Sequence, residues 1–226
     1  MGCCVLYAEP RTRTPSVSLQ LRTDPYALEL ERYATELLLS SPWQVLEENS
    51  LVTISSLSQS RYSAQVPVFS LRLKPLPAID LDYAVKLLIN PELRPLWDFQ
   101  LSQYRTIPIP GRSVYYTRYE FPFPFQHREL VEAASVLLRP GSASVIKYST
   151  SECEVSTGLE RAEMVFFVAV LHVVGDWMEV TITAQLDLHF PFIQVLQTQV
   201  VGVIEDWVSA LVEFIVCSEQ EHAYIR

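Results

Sequence analysis

The last third of the chain carries a long apolar signal in two parts, and this signal constrains the fold more than any other feature. Residues 162–189 predict a β-hairpin, and residues 192–217 predict one long amphipathic helix. Neither part can bury its apolar face alone. A sheet that curves around such a helix can enclose an apolar cavity, and a cavity of this kind favours a hydrophobic ligand.

The predicted hairpin has one dry face. Its second strand alternates strictly, and the apolar positions are Met178, Val180, Ile182, Ala184, Leu186 and Leu188. If Gly175-Asp176 forms a two-residue turn, Val174 pairs with Trp177, and directly paired residues share a face. The dry face then continues along the first strand through Val173, Leu171, Ala169, Phe167 and Val165. The other face of the first strand is also apolar, and we expect the first helix to cover it.

The rest of the pattern predicts an α+β fold. A first helix begins at Thr23 or Asp24 and ends at 40–42. Three strands follow near 43–47, 51–58 and 66–74, and a helix pair runs from Asp80 through Asn90-Pro91 to Asp98. Six strands and the long helix complete the order. Residues 1–22 predict a flexible arm, and residues 23–226 predict one folded domain.

Composition and motifs exclude several classes of function. The net charge is −9, and no Lys/Arg patch interleaved with aromatics appears, which argues against a nucleic-acid partner. Polar and acidic residues interrupt the long helix too often for a membrane span. No catalytic motif and no metal-ligand or cofactor spacing appears, so we expect a non-enzyme without metal or cofactor. The cysteines lack metal spacing and follow no secretory signal, which favours the cytoplasm; we also expect a monomer.

Two segments suggest contact with a membrane. Gly2 could accept myristate and Cys3 and Cys4 palmitate, although Leu6 stands where the myristoylation motif has Ser or Thr. The alternative is an ordinary unstructured start. In the Pro-rich connection near 121–127, Phe121, Phe123 and Phe125 form either a hydrophobic rim that touches membrane or guards a pocket mouth, or a cluster packed under the last helix.

The order of elements and several local motifs resemble the START domain, the steroidogenic acute regulatory protein-related lipid-transfer domain. The motifs are Ala84-Val85-Lys86-Leu87-Leu88, Arg94-Pro95-Leu96-Trp97-Asp98, Tyr115-Tyr116-Thr117-Arg118-Tyr119, Phe123-Pro124-Phe125 and Arg128-Glu129-Leu130-Val131. The resemblance covers roughly residues 24–217. Glu129 replaces the family's Asp, and His189-Phe190-Pro191 replaces its Gly-rich turn.

The resemblance implies a helix-grip fold, in which an incomplete barrel holds a lipid against the C-terminal helix. It also implies that the chain binds and transfers a phospholipid, sterol or other lipid. The candidate lining residues are Tyr115, Thr117, Tyr119, Phe167, Leu171, Val180, Ile182, Ala184, Leu196, Val200 and Trp207. The alternatives are a membrane-tethered scaffold domain whose pocket has collapsed into core, and a small-molecule enzyme with titratable groups in the cavity.

Two expectations concern charged residues. Asp98 could pair with Arg128 and tie a helix end to the sheet, as a structural ion pair. The interior charged pair of some sterol-binding family members cannot be placed in this sequence, and the derived dry faces contain no titratable group. The strands near 129–139 and 143–150 have mixed alternation, so their inner faces stay open.

Overall fold

The computed structural model describes residues 24–121, 127–153, 155, 157–189 and 197–223, with side chains of the last helix described over 199–217. The helices are α1 (Pro25–Ser40), α2 (Leu81–Ile89) and α3 (Gln197–Ala223), with a 3₁₀ turn at Arg94–Leu96. The strands are β1 (Gln44–Glu48), β2 (Val52–Leu57), β3 (Val68–Leu73), β4 (Leu76–Pro77), β5 (Leu101–Ile109), β6 (Arg112–Tyr119), β7 (Arg128–Arg139), β8 (Ser142–Ser149), β9 (Glu160–Arg161), β10 (Glu163–Val174) and β11 (Trp177–Asp187).

The predicted α+β order is confirmed, with small differences. The two-residue strands β4 and β9 were not predicted, and the second helix of the pair is a single 3₁₀ turn that contains Pro95. Proline has no backbone N–H to donate, so a short turn suits this segment better than a regular helix. The first helix begins as predicted, because the Asp24 side chain accepts a hydrogen bond from the Tyr26 N–H at 3.0 Å.

The described strands form one sheet in the order β1-β2-β3-β11-β10-β8-β7-β6-β5. Neighbours along this path are antiparallel, while β4 pairs with β11 and β9 lies parallel to β7. The pairing of β3 with β11 joins the first strands to the last hairpin. The sheet therefore places the hairpin at its centre, where it faces a helix on each side.

Two apolar cores lie on opposite faces of this sheet. On the outer face, α1 packs Ala27, Leu30 and Ala34 in one cluster with Phe166 and Val168 of β10. The prediction that the first helix covers the second apolar face is thus confirmed. On the inner face, α2 and α3 share a cluster with the dry face of the hairpin.

The hairpin register is confirmed except at one end. Val174 pairs with Trp177 around a turn in which Gly175 has φ +61°. A β-bulge between Met164 and Phe166 interrupts the alternation of β10. The prediction that Val165 lies on the dry face is therefore wrong, because Val165 packs against the outer cluster.

Within the described parts of the chain, no helix combines the length and apolar character that crossing a bilayer requires.

Candidate functional site

A cavity of about 230 Å³ lies between the inner face of the sheet and the first described turns of α3. Most of its wall is apolar. The sheet contributes the apolar residues Phe69, Leu71, Met164, Phe167, Ile182, Ala184 and Leu186, and α3 contributes Gln199, Val200, Val203, Ile204 and Trp207. The lining is completed by Pro67, Arg94, Gln100, Tyr119, Phe121, Lys147 and Leu188.

The cavity exists because α3 is buried unevenly along its length. Val208, Leu211, Val212 and Ile215 are buried in the inner core, whereas residues 200–207 are half-buried or exposed. Polar contacts hold this less buried part in place. Asn49 donates to Glu205 at 2.7 Å, and Trp207 Nε1 donates to Asp98 Oδ2 at 3.1 Å. The helix thus covers the hollow of the sheet without filling it.

The structure brings together several of the predicted lining residues. Tyr119, Phe167, Ile182, Ala184, Val200 and Trp207 line the cavity. Tyr115, Leu171 and Val180 lie in the packed inner core instead, where Tyr115 stacks on Tyr104. Thr117 also lies outside the lining and donates to Glu132 at 3.3 Å.

Of the remaining predicted positions, only Phe121 lies within the described residues. Phe121 lines the cavity and stacks against Tyr119, with ring centroids 6.1 Å apart. Leu196, Phe123, Phe125, Gly2, Cys3 and Cys4 lie outside the described residues. Ligand binding by Leu196, membrane contact by Phe121, Phe123 and Phe125, and acylation of Gly2, Cys3 and Cys4 stay predictions.

A cluster of four buried charged side chains borders the cavity. Arg94 contacts Asp98 at 3.2 Å and Glu132 at 3.6 Å, and Lys147 contacts Glu132 at 3.4 Å. Asp98 and Glu132 have no exposed surface, and their oxygens Asp98 Oδ1 and Glu132 Oε2 are buried without a hydrogen-bond partner among the described residues. Arg94 and Lys147 line the cavity, whereas the two carboxylates lie behind them.

This cluster corrects two expectations. The dry interior does contain titratable groups, because Glu132 and Lys147 point inward from β7 and β8. The predicted ion pair between Asp98 and Arg128 is wrong, since Asp98 pairs with Arg94 one turn earlier. Arg128 contacts Glu160 at 2.9 Å, because β9 lies beside the start of β7.

Burial and charge shift the proton equilibria of the cluster. Burial and the neighbouring Arg94 guanidinium lower the pKa of Lys147 to about 8, although Glu132 opposes the shift. Burial raises the pKa of Tyr119, whose hydroxyl accepts a hydrogen bond from Arg94 at 2.8 Å. Burial alone would lower the pKa of Arg94, but Tyr119 and Asp98 raise it well above its ordinary value. Arg94 is therefore a permanent cation in the cavity wall, whereas Lys147 is a cation that loses its proton more readily than an ordinary lysine.

A weak signal in the sequence could have identified Lys147. It alternates with Ala143 and Val145 in β8, and it pairs with Phe167, which the hairpin had placed on the dry face. The register in which β8 pairs with β10 is needed to assign Lys147 to the inner face, and it could not be predicted from the sequence. A long connection separates β8 from β10, and no tight turn defines how the two strands align.

Among the described residues, no group of three or more His, Cys, Asp or Glu side chains could hold a metal ion. The apolar wall and its few polar groups suit an amphiphilic molecule. An apolar tail can lie along the sheet and α3, while a polar end reaches Arg94, Lys147 and Tyr119.

Comparison with known proteins gives a match in structure but not in sequence. No protein-family model matches the chain, and no curated protein matches it. The human StAR-related lipid transfer protein 5 is 15% identical with a TM-score of 0.70, over 87% of this chain and 98% of that one. Human STARD10 is 14% identical with a TM-score of 0.68, over 89% of this chain and 84% of that one.

A bacterial structure gives the same result. The STAR-related lipid transfer protein from Xanthomonas axonopodis is 16% identical with a TM-score of 0.63, over 76% of this chain and 97% of that one. Identities this low establish shape alone. The resemblance predicted from the sequence is therefore confirmed at the level of the fold: this chain has the helix-grip fold of the StAR-related lipid transfer, or START, domains.

Proposed function

We propose that the protein binds an amphiphilic lipid between the sheet and α3 and carries it between membranes. The observation that carries this proposal is the cavity itself, whose wall is almost entirely apolar and includes two buried cations, Arg94 and Lys147. An apolar pocket with a few convergent polar groups is the usual form of a small-molecule site.

The tail of the ligand lies along apolar side chains from both layers. Phe167, Ile182 and Leu186 form part of the sheet side, and Val203 and Ile204 form part of the helix side. The volume of about 230 Å³ is somewhat below the ~300–1,000 Å³ of typical ligand pockets. We therefore infer that a single alkyl chain fits without change, whereas a two-chain lipid requires outward movement of α3.

The polar end of the ligand lies against Arg94 and Lys147. Both cations face the cavity, while Asp98 and Glu132 lie behind them and keep the buried cluster neutral. Tyr119 accepts a hydrogen bond from Arg94 and keeps its own hydroxyl proton to donate. Two cations and one hydroxyl donor suit an oxygen-rich head such as a phosphate or carboxylate.

The structural relatives support this proposal in general terms. The human StAR-related lipid transfer protein 5 and the bacterial STAR-related lipid transfer protein are named as lipid transfer proteins, and they share this fold at TM-scores of 0.70 and 0.63. The unfilled cavity favours a carrier over the alternative of a scaffold domain with a collapsed pocket. We further propose that the protein acts in the cytoplasm as a monomer and binds without catalysing a reaction.

Delivery of a lipid requires contact with a bilayer, and two groups of residues are proposed to provide it. Phe121 lines the cavity, and we propose that Phe121, Phe123 and Phe125 together contact the membrane beside the cavity. Acylation at Gly2, Cys3 and Cys4 would keep the protein near the membrane, since two acyl chains anchor stably and one does not.

Native mass spectrometry and vesicle transfer test the proposal. The purified protein should carry lipid, and it should accelerate transfer of that lipid between donor and acceptor vesicles. Ala184→Phe places a ring inside the cavity and should abolish both effects. Thr181→Phe is the matched control, because Thr181 lies on the other face of the same strand and its variant should retain both.

Absence of lipid from the wild-type protein, together with transfer no faster than in buffer, would contradict the proposal. Equal loss of lipid in the Ala184→Phe and Thr181→Phe variants would show that the effect comes from general disruption of β11 and would contradict the assigned site.

A further inference from the structure

Lys147 is a primary amine enclosed by an apolar cavity. Its side chain is 2% exposed, and Nζ lies 5.5 Å from the centre of the Phe167 ring and 5.6 Å from that of the Tyr104 ring. The side chain also lines the cavity that holds the proposed ligand. An amine in this position meets whatever enters the cavity at close range and away from bulk water.

Burial favours the neutral form of Lys147, and the Arg94 guanidinium adds to this effect, whereas Glu132 and Asp98 oppose it. The charged side chains nearby are Arg94, Glu132 and Asp98. Because burial and Arg94 lower the pKa of Lys147 to about 8, about a tenth of the amine is neutral at pH 7, against roughly 0.04% for an ordinary lysine. A desolvated lysine beside a second cation is a recognised form of activated nitrogen nucleophile.

We propose that Lys147 captures a long-chain aldehyde as a reversible imine inside the cavity. The alkyl chain of the aldehyde would occupy the apolar wall between β11 and α3, and its carbonyl would meet Nζ at the charged end. This inference goes beyond non-covalent carriage but rests on the proposed function, because the aldehyde must enter the same cavity.

The chemistry needs no oxidant, reductant or metal. The lone pair of neutral Nζ attacks the carbonyl carbon, so that a C–N bond forms as the C=O π bond breaks. The electron pair of the π bond moves to the carbonyl oxygen. The carboxylate of Glu132, 3.4 Å from Nζ, is placed to take one proton from the attacking nitrogen and pass it to this oxygen, which gives the neutral carbinolamine. The proton that the lysine ammonium released on becoming neutral then protonates the hydroxyl group, the C–O bond breaks, and water leaves as the nitrogen lone pair forms the C=N bond of the protonated imine. Addition of water reverses these steps and releases the aldehyde unchanged.

Glu132 also matches the charge of the product. A protonated imine carries the same single positive charge as the lysine ammonium. It can therefore keep the ion pair with Glu132 that the ammonium makes now. The neutral balance of the cluster, formed by Arg94 and Lys147 against Asp98 and Glu132, is unchanged by the reaction.

The chain contains few lysines, so peptide mapping can compare every one of them with Lys147. The sequence contains three lysines, Lys74, Lys86 and Lys147. The side chains of Lys74 and Lys86 are 42% and 45% exposed, so exposure alone favours labelling of these two. The protein is incubated at pH 7 with decanal and cyanoborohydride, which reduces imines to stable secondary amines, and the alkylated positions are mapped by peptide mass spectrometry.

We expect alkylation of Lys147 to exceed that of Lys74 and of Lys86 by at least about tenfold, as follows from its larger neutral fraction. Propanal reacts with the same neutral amine but has too short a chain to gain from the apolar wall, so its preference for Lys147 should be smaller than that of decanal. An excess of dodecanol should suppress the Lys147 adduct and leave surface labelling unchanged. Preferential labelling of Lys74 and Lys86 by decanal would overturn the proposal.

A binding measurement separates this inference from the proposed function. Displacement of a fluorescent fatty acid by dodecanol reports occupancy of the cavity without any covalent step. Displacement without a Lys147 adduct would overturn the imine and leave lipid binding intact, whereas absence of both would overturn both. The Lys147→Arg variant keeps the positive charge beside Glu132 and should form no adduct in the cavity; the wild-type peptide map decides the question even if this variant does not fold.

Discussion

Glu132 illustrates how single residues define the site. Its carboxylate is fully buried between Arg94 and Lys147, and one of its oxygens has no hydrogen-bond partner among the described residues. Transfer of such charges out of water costs several kcal/mol per ion, and a buried ion cluster is on that account a weak source of stability. The cluster is better explained by what it presents to the cavity than by what it adds to the fold.

Removal of the Glu132 charge should destabilise the protein strongly. Glu132→Gln preserves the shape but leaves Arg94 and Lys147 with Asp98 as their remaining carboxylate, so we expect a loss of about 3–5 kcal/mol in the free energy of unfolding. Urea titration followed by circular dichroism measures this loss. Glu36→Gln, which breaks the exposed pair with Arg32, should change stability by less than about 0.5 kcal/mol. Similar values for the two variants would contradict burial of the cluster.

The lowered pKa of Lys147 predicts a pH dependence of stability. The folded-state pKa of about 8 is below the unfolded value of 10.5, so the unfolded chain binds more protons between these values and stability rises with pH there. Burial raises the pKa values of Tyr104 and Tyr119, which opposes the rise above about pH 10.

The measurement is the free energy of unfolding of wild type and of Lys147→Met at several pH values. The wild-type free energy should increase relative to that of the variant between about pH 8 and 9.5. Parallel curves would contradict an interior lysine with a lowered pKa.

At the scale of elements, predictability followed the quality of the local signals. The register of β10 and β11 could be derived because Gly175-Asp176 is a tight turn and the alternation in β11 is strict. The bulge that moves Val165 to the outer face has no comparable signal, since its neighbours are apolar on both faces. The inner faces of β7 and β8 could not be derived, because charged Glu132 and Lys147 occupy positions that a pattern of apolar alternation assigns to solvent.

Glycine substitutions test two elements with opposite expected signs. Gly202 lies within α3, and a Cβ at this position meets no described atom within 4 Å. Gly202→Ala should therefore raise the free energy of unfolding by about 0.5–1 kcal/mol through helix propensity. Gly111 also has open space but lies in the β5–β6 turn with φ +73°, so Gly111→Ala should lower stability by about 1 kcal/mol. Thermal denaturation of both variants gives the two signs, and a loss of stability in Gly202→Ala would show that α3 is closer to its neighbours than described.

For the whole molecule, the sequence was sufficient for the architecture but not for the interior. The order of elements, the dry face of the hairpin and the stripe on α3 led to a helix held by a curved sheet. Whether a helix fills such a hollow depends on side-chain volumes across layers, which periodicity does not describe. Tyr115, Leu171 and Val180 share the dry face with the cavity residues, yet they pack in the core where the more buried half of α3 lies.

The position of the cavity predicts which tryptophan senses a bound lipid. Trp207 lines the cavity and contacts Trp97, with ring centroids 5.1 Å apart, whereas Trp177 lies at the β10–β11 turn and is 55% exposed. A fatty acid brominated along its chain should therefore quench intrinsic fluorescence more than its unbrominated analogue, since bromine acts at short range. Trp207→Phe should remove most of this difference and Trp177→Phe should retain it. If Trp177→Phe removed it instead, the acyl chain would bind at the turn end of the hairpin, and the cavity beneath α3 would not be the lipid site.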